Sequence, residues 1–260
     1  MNHSLSQKDS TLICLQDVTL KLPVVGRSIP QRTRSAKVGG RIVGLTRPHI
    51  LALQNINLQI FSGDRVAVLG HNGAGKTSLL RIISGIFYPT YGRRYVSGKV
   101  NALLSSSVGM DLRNTGRDNI RQACALFEVP RLKAADFERE VISFSDLGDF
   151  IDLPVSSYSA GMRTRLGFSI VSSLDPDILI LDEVLSAGDF AFARKAQQRV
   201  ISMIERSRAL VVASHSASLM RMFCNRAIWL SRGEVRMDGP FEEIWKEYYR
   251  RVDSGVSLFD

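Results

Sequence analysis

The sequence predicts an α/β protein with a mainly parallel central sheet, and three observations carry that expectation. Strand-like apolar runs alternate with helix-like segments along the chain. Residues 178–181 and 210–213 are apolar at every position, the mark of strands covered on both faces. Between the apolar run 66–69 and the helically spaced run 79–83 lies Gly70-His71-Asn72-Gly73-Ala74-Gly75-Lys76-Thr77-Ser78, which matches G-x-x-x-x-G-K-[ST].

Taken in order, residues 1–10 are polar and read as a frayed end. Residues 12–22 alternate loosely and read as a strand. Residues 23–49 hold Pro23, Pro30, Pro48 and four glycines among arginines, which predicts a long loop or insertion. Alternation returns over 51–60 and suggests an antiparallel strand, turned by Ser62-Gly63-Asp64 into the strand before the glycine loop. After the first helix, Pro89, Gly92 and Gly98 break the pattern, and 99–104 reads as a strand. Residues 115–147 look helical with a break at Val129-Pro130, and 160–174 form a further helix. A basic helix over 190–207 precedes the buried strand at 210–213. Residues 228–237 form a hairpin turning at Arg232-Gly233, and 241–249 are amphipathic.

Composition narrows the class. The 260 residues are 45% hydrophobic and 23% charged, as in an ordinary globular protein with a real core. No apolar stretch approaches eighteen residues and no charged-then-apolar leader follows Met1, so neither a membrane span nor an export signal is expected. Cys14, Cys124 and Cys224 stand far apart and read as reduced thiols rather than metal ligands. The net charge of +9 is uneven: residues 1–60 carry eight bases against Asp9 and Asp17. Such a block suits a solvated loop or a docking surface for something anionic.

The glycine loop carries the first chemistry. Glycines let backbone N–H groups turn inward on a phosphate, and the helix N-terminus adds positive potential there. Gly70, Asn72, Gly73, Ala74, Gly75, Lys76, Thr77 and Ser78 are therefore the expected phosphate site, with Lys76 reaching the β- and γ-phosphates and Thr77 ligating Mg²⁺. The apolar run 178–181 ends in Asp182-Glu183. An acid at the carboxyl end of a buried strand sits where such sheets bind ligands. Asp182 suits Mg²⁺, directly or through water, and Glu183 can take a proton from an attacking water. Tyr158-Ser159-Ala160-Gly161-Met162 opens a helix with Ser159 as N-cap and Gly161 allowing close approach to the amides.

This order of phosphate loop, serine-glycine helix start, Asp-Glu strand end and histidine after a strand resembles the ATP-binding subunit of ABC transporters, over roughly residues 11–240. The resemblance implies a P-loop NTPase of ABC type: a mainly parallel core sheet with an antiparallel β subdomain and a helical subdomain. It implies one domain over 1–260. The core would be 11–104 and 176–240 with a basic insertion at 23–49, the helical part 105–175, and a C-terminal helix and tail 241–260. It also implies a homodimer in which Ser159 and Gly161 of one copy meet ATP on the phosphate loop of the other. Ser186-Ala187-Gly188-Asp189 looks like the loop at the dimer seam, and His215 like the histidine that contacts the γ-phosphate.

More narrowly, the chain is similar to ATPases that export O-antigen, capsule and teichoic acid. Tyr158 to Met162, Asp182 to Asp189, Gly85 to Gly92, Asn114 to Ile120 and the insertion before 51 carry that likeness. It implies a bacterial ATP hydrolase, peripheral on the cytoplasmic face of the inner membrane through a multi-span permease, with no nucleic-acid partner. Exporter ATPases for a drug or lipid, and ABC ATPases acting on nucleic acid or ribosomes, are the alternatives. There are departures from the pattern. Ser105 falls where the family has Gln or Glu, Ala160 replaces a signature glycine, and no aromatic residue precedes Phe61 to stack on adenine.

Overall fold

The computed structural model describes residues 11–24, 41–43, 48–104, 109–182, 190–214 and 216–253. In chain order the elements are β1 (Thr11–Pro23), β2 (Arg41–Val43), β3 (His49–Phe61), β4 (Arg65–Leu69), α1 (Lys76–Ile83), β5 (Tyr91–Val96) and β6 (Val100–Leu103). There follow α2 (Gly116–Leu126), α3 (Arg131–Ser145), α4 (Ala160–Ser172), β7 (Ile178–Asp182), α5 (Phe190–Arg206) and β8 (Ala209–Ala213). The last are α6 (Ala217–Phe223), β9 (Arg226–Ser231), β10 (Glu234–Pro240) and α7 (Phe241–Asp253). They divide into two compact units, one of Met1–Val100, Asp177–Glu183 and Arg208–Asp260, the other of Asn101–Pro176 and Val184–Ser207.

The first unit holds two sheets. One is antiparallel in the order β2-β3-β1-β5. In the other, β9, β4, β8 and β7 lie side by side in parallel, and β10 returns antiparallel to β9 through the turn at Arg232 and Gly233. Val66–Leu69, Ile178–Leu181 and Ala209–Ala213 are buried throughout, as their unbroken apolar runs require. Helix α7 closes this unit on an aromatic seam. Trp229 of β9 meets Tyr248 edge-on at 5.7 Å, Arg251 lies over the same indole at 5.3 Å, and Phe241 stacks on Trp245 at 5.4 Å.

The second unit is built on helices. Ile120, Phe137, Val141, Ile151, Val155, Leu166 and Ile170 form its core. Phe144, Phe168 and Phe192 make an aromatic triangle with centroids 5.8 to 6.0 Å apart, and Lys195 and Arg199 cover the Phe144 ring. Through Phe192, α5 packs on α3 and α4 within this unit. At the start of α2, a Cβ on Gly116 would lie 2.5 Å from the Tyr158 hydroxyl and 3.0 Å from Ile151. That hydroxyl donates to the Phe150 carbonyl at 2.5 Å and cannot retreat freely. Gly116→Ala should therefore cost about 1–3 kcal/mol in a urea titration. With Tyr158→Phe already in place the cost should shrink, and full additivity would refute the contact.

Three elements escaped the sequence pattern. Strand β2 lies inside the stretch read as a loop, and it adds an outer strand to His49–Leu51 of β3, whose other edge pairs with β1. Strand β5 was hidden by Gly92. This glycine opposes a bulge in β1 at Asp17, where a Cβ would come within 2.4 Å of two β1 carbonyls. Helix α6 is seven residues long, too short for periodicity to show, and Ser216 caps it by accepting from the Leu219 amide. No helix among the described residues is long and apolar enough to cross a membrane.

Candidate nucleotide-binding site

Strand β4 is buried to its end at Leu69 and delivers the chain to Gly70 at the rim of the parallel sheet. Gly75 then caps α1 in the left-handed region at φ 108°, and no side chain caps that helix. The amides of Lys76, Thr77 and Ser78 consequently have no intrahelical acceptor and form the positive end of the helix dipole. A Cβ on Gly75 would lie 2.8 Å from the Ala52 carbonyl, and one on Gly70 2.5 Å from the Leu230 carbonyl. Both glycines are required by backbone packed against backbone.

The loop is held from outside by residues that the motif does not contain. The Gly233 amide donates to the Ala74 carbonyl at 2.9 Å, and the Gly233 carbonyl accepts from the Gln54 amide at 2.8 Å. The hairpin turn and the edge of β3 thus brace the phosphate loop. Only the turn chemistry of Arg232-Gly233 was visible in the sequence; its role as a brace was not. Ala74 is buried, while Asn72 and Gly73 are exposed.

The charged and hydroxylic groups converge at the same end of the sheet. Thr77 Oγ1 donates to Asp182 Oδ2 at 2.8 Å, across 105 residues of sequence. Lys76 Nζ donates to the carbonyls of Gly70 at 2.7 Å and His71 at 3.2 Å, which holds the ammonium over the loop. Adjacent parallel strands explain the convergence: β4 and β7 flank β8, and the strands run in one direction, so both deliver their carboxyl ends to one edge.

Ser159 and Gly161 lie in the second unit, at the start of α4. Ser159 Oγ accepts from the Met162 amide at 3.2 Å, as expected of an N-cap. Ser159 and Ala160 are exposed, and the site of a Gly161 Cβ has only Ser159 Oγ within 4 Å, at 3.8 Å. This helix start is therefore open to close approach. Glu183, His215, Ser105 and the stretch 186–189 lie outside the described residues. At the end of β1, Leu22 pairs with Ile50, which pairs with Ile42 on β2. An aliphatic row occupies the strand ends beside Ala52.

Comparison with known proteins bears on this geometry. Residues 53–186 match the family model described as ABC transporter. The chain is 38% identical to the ABC transporter protein AbcA of Aeromonas salmonicida over 199 residues, 76% of this chain and 65% of that protein. It is 38% identical to the O-antigen export system ATP-binding protein RfbB of Myxococcus xanthus, over 78% of this chain and 46% of that one. With the teichoic acids export ATP-binding protein TagH of Lactococcus lactis the figures are 40%, 77% and 43%. The chain thus spans less than half of the last two relatives. A dimeric ATP-binding cassette in a post-hydrolysis state with ADP and Pi superposes with a TM-score of 0.64 at 21% identity, covering 88% of this chain and 98% of that one. An ATP-binding subunit of an ABC transporter gives 0.68 at 18% identity, with 96% and 100% covered. Those two likenesses carry the fold. With the family match extending over more than half of its length, this chain belongs to the ABC transporter family.

Proposed function

We propose that this chain is an ATP hydrolase that powers export of a lipid-linked surface polysaccharide, of the O-antigen, capsule or teichoic-acid kind. It works with a separate membrane permease, at the cytoplasmic face of a bacterial inner membrane. The observation that carries the chemistry is the 2.8 Å contact between Thr77 Oγ1 and Asp182 Oδ2 beside the N-terminus of α1, which no side chain caps. The export part rests on relatives named for O-antigen and teichoic acid export.

In this reading the amides of Gly73 to Ser78 and the Lys76 ammonium bind the phosphates of ATP. Thr77 and Asp182 offer a hydroxyl and a carboxylate, the hard oxygen donors that Mg²⁺ accepts alongside phosphate oxygens and water. An ion held there would supply neutralisation of phosphate charge. Glu183 takes the proton of the attacking water, and His215 contacts the γ-phosphate. Ser159 and Gly161 of a second copy complete the site, so the working form is a homodimer. The aliphatic row Leu22–Ile50–Ile42 supplies the base with contact but no hydrogen bonds, which lets GTP serve as well as ATP.

Deleting the gene should remove the surface polysaccharide while its lipid-linked precursor accumulates inside the cell. The parental chain should restore export and copurify with the permease. Surface glycan left intact by the deletion would sink the substrate assignment.

A further inference from the structure

The outer face of the antiparallel sheet takes no part in the phosphate site. Cross-strand register sets Tyr91 opposite Thr19, Arg93 opposite Gln16 and Tyr95 opposite Cys14. Paired residues share a face, so these three β5 side chains stand together. Leu15, Val18 and Leu20 of β1 point the other way and are buried. Tyr91 is 59% exposed and Tyr95 51%, and Lys21 Nζ lies 4.8 Å from the centre of the Tyr91 ring. The sheet is one-sided in charge as well. Asp17 is the only acid in the sequences of its four strands, and its carboxylate accepts from Asn57 Nδ2 at 2.9 Å.

Two exposed tyrosine rings alternating with cations on a sheet face match the chemistry of a bilayer surface. Tyrosine settles at headgroup depth, and lysine and arginine are drawn to anionic leaflets. Single-stranded nucleic acid could stack on such rings too, but here they stand on an edge strand with no basic groove beside them among the described residues, and competition with single-stranded DNA separates the two. We propose that Lys21, Tyr91, Arg93 and Tyr95 dock this chain on anionic phospholipid headgroups, in addition to its attachment through the permease. The inference rests on the reading of the chain as an exporter ATPase, which works beside a bilayer.

The test is co-sedimentation of the purified full chain with vesicles of phosphatidylcholine alone, or with about a third phosphatidylglycerol. Binding is expected only to the anionic vesicles and should weaken with salt. Lys21→Glu with Arg93→Glu should lower it about tenfold or more, and Tyr91→Ala with Tyr95→Ala several-fold at any salt. Basal ATP hydrolysis should stay at the parental rate in both variants, since none of the four residues belongs to the phosphate site. Unchanged vesicle binding in the charge-reversed variant would overturn the proposal, because attachment would then lie elsewhere. So would release of the chain from vesicles by equimolar single-stranded DNA. An active ATPase that ignores anionic vesicles defeats this inference alone, while a parental chain without ATPase activity defeats the proposed function instead.

Discussion

Lys76→Ala should lower ATP turnover by about 10²–10³-fold, the loss typical of removing one preorganised charge from a transition-state site. The Lys76 ammonium is positioned before any nucleotide arrives, by the carbonyls of Gly70 and His71 at 2.7 and 3.2 Å. It therefore needs no reorganisation as charge builds on the transferring phosphoryl oxygens. Arginine should rescue poorly, since a planar fork does not replace a compact point charge in so tight a loop. The fold should survive, because both carbonyls can turn to water once the ammonium is gone. Steady-state phosphate release checks the prediction, with thermal unfolding as the control. Turnover within tenfold of the parent would remove Lys76 from the mechanism.

Glu183→Gln should abolish turnover, by about 10²–10⁴-fold, yet leave ATP binding intact. Glu183 follows Asp182 directly, and Asp182 is the last residue of β7, paired with Ala213 of β8. In the proposed site the two acids divide the work. Asp182 faces Thr77, which leaves Glu183 for the water. An amide keeps the shape but cannot take the proton. ATP should then persist in the site and hold two copies together, so gel filtration with ATP should show a dimer that the parental chain forms only briefly. Hydrolysis near the parental rate would refute the general-base role. A monomer under saturating ATP would refute the shared site formed with Ser159 and Gly161.

Most of the phosphate site was legible because its chemistry is local. The spacing of Gly70, Gly75, Lys76 and Thr77 is a single loop and helix turn, and the expectation that Asp182 belongs with them followed from its place at a strand end. In the structure Thr77 Oγ1 donates to Asp182 Oδ2 at 2.8 Å. The alternating runs of β1 and β3 and the unbroken runs of β4, β7 and β8 also announced themselves, since burial on one face or two leaves period two or none. Strands β2 and β5 did not, because β2 is three residues long and Gly92 interrupts the pattern of β5.

By itself, the sequence determined the spacing of the glycine loop, the order of the strands and helices on either side of it and of Asp182, and the aliphatic rather than aromatic residues at the end of β1. Each of these is written in residue type and spacing over a few positions. Only the tertiary structure decided that Gly233 and Ala52 brace that loop, that α5 joins the helical unit through Phe192, and that Tyr91, Arg93, Tyr95 and Lys21 share one face. These depend on which distant backbones pair and in what register. A bulge of one residue at Asp17 is enough to change a face, and no local pattern records it.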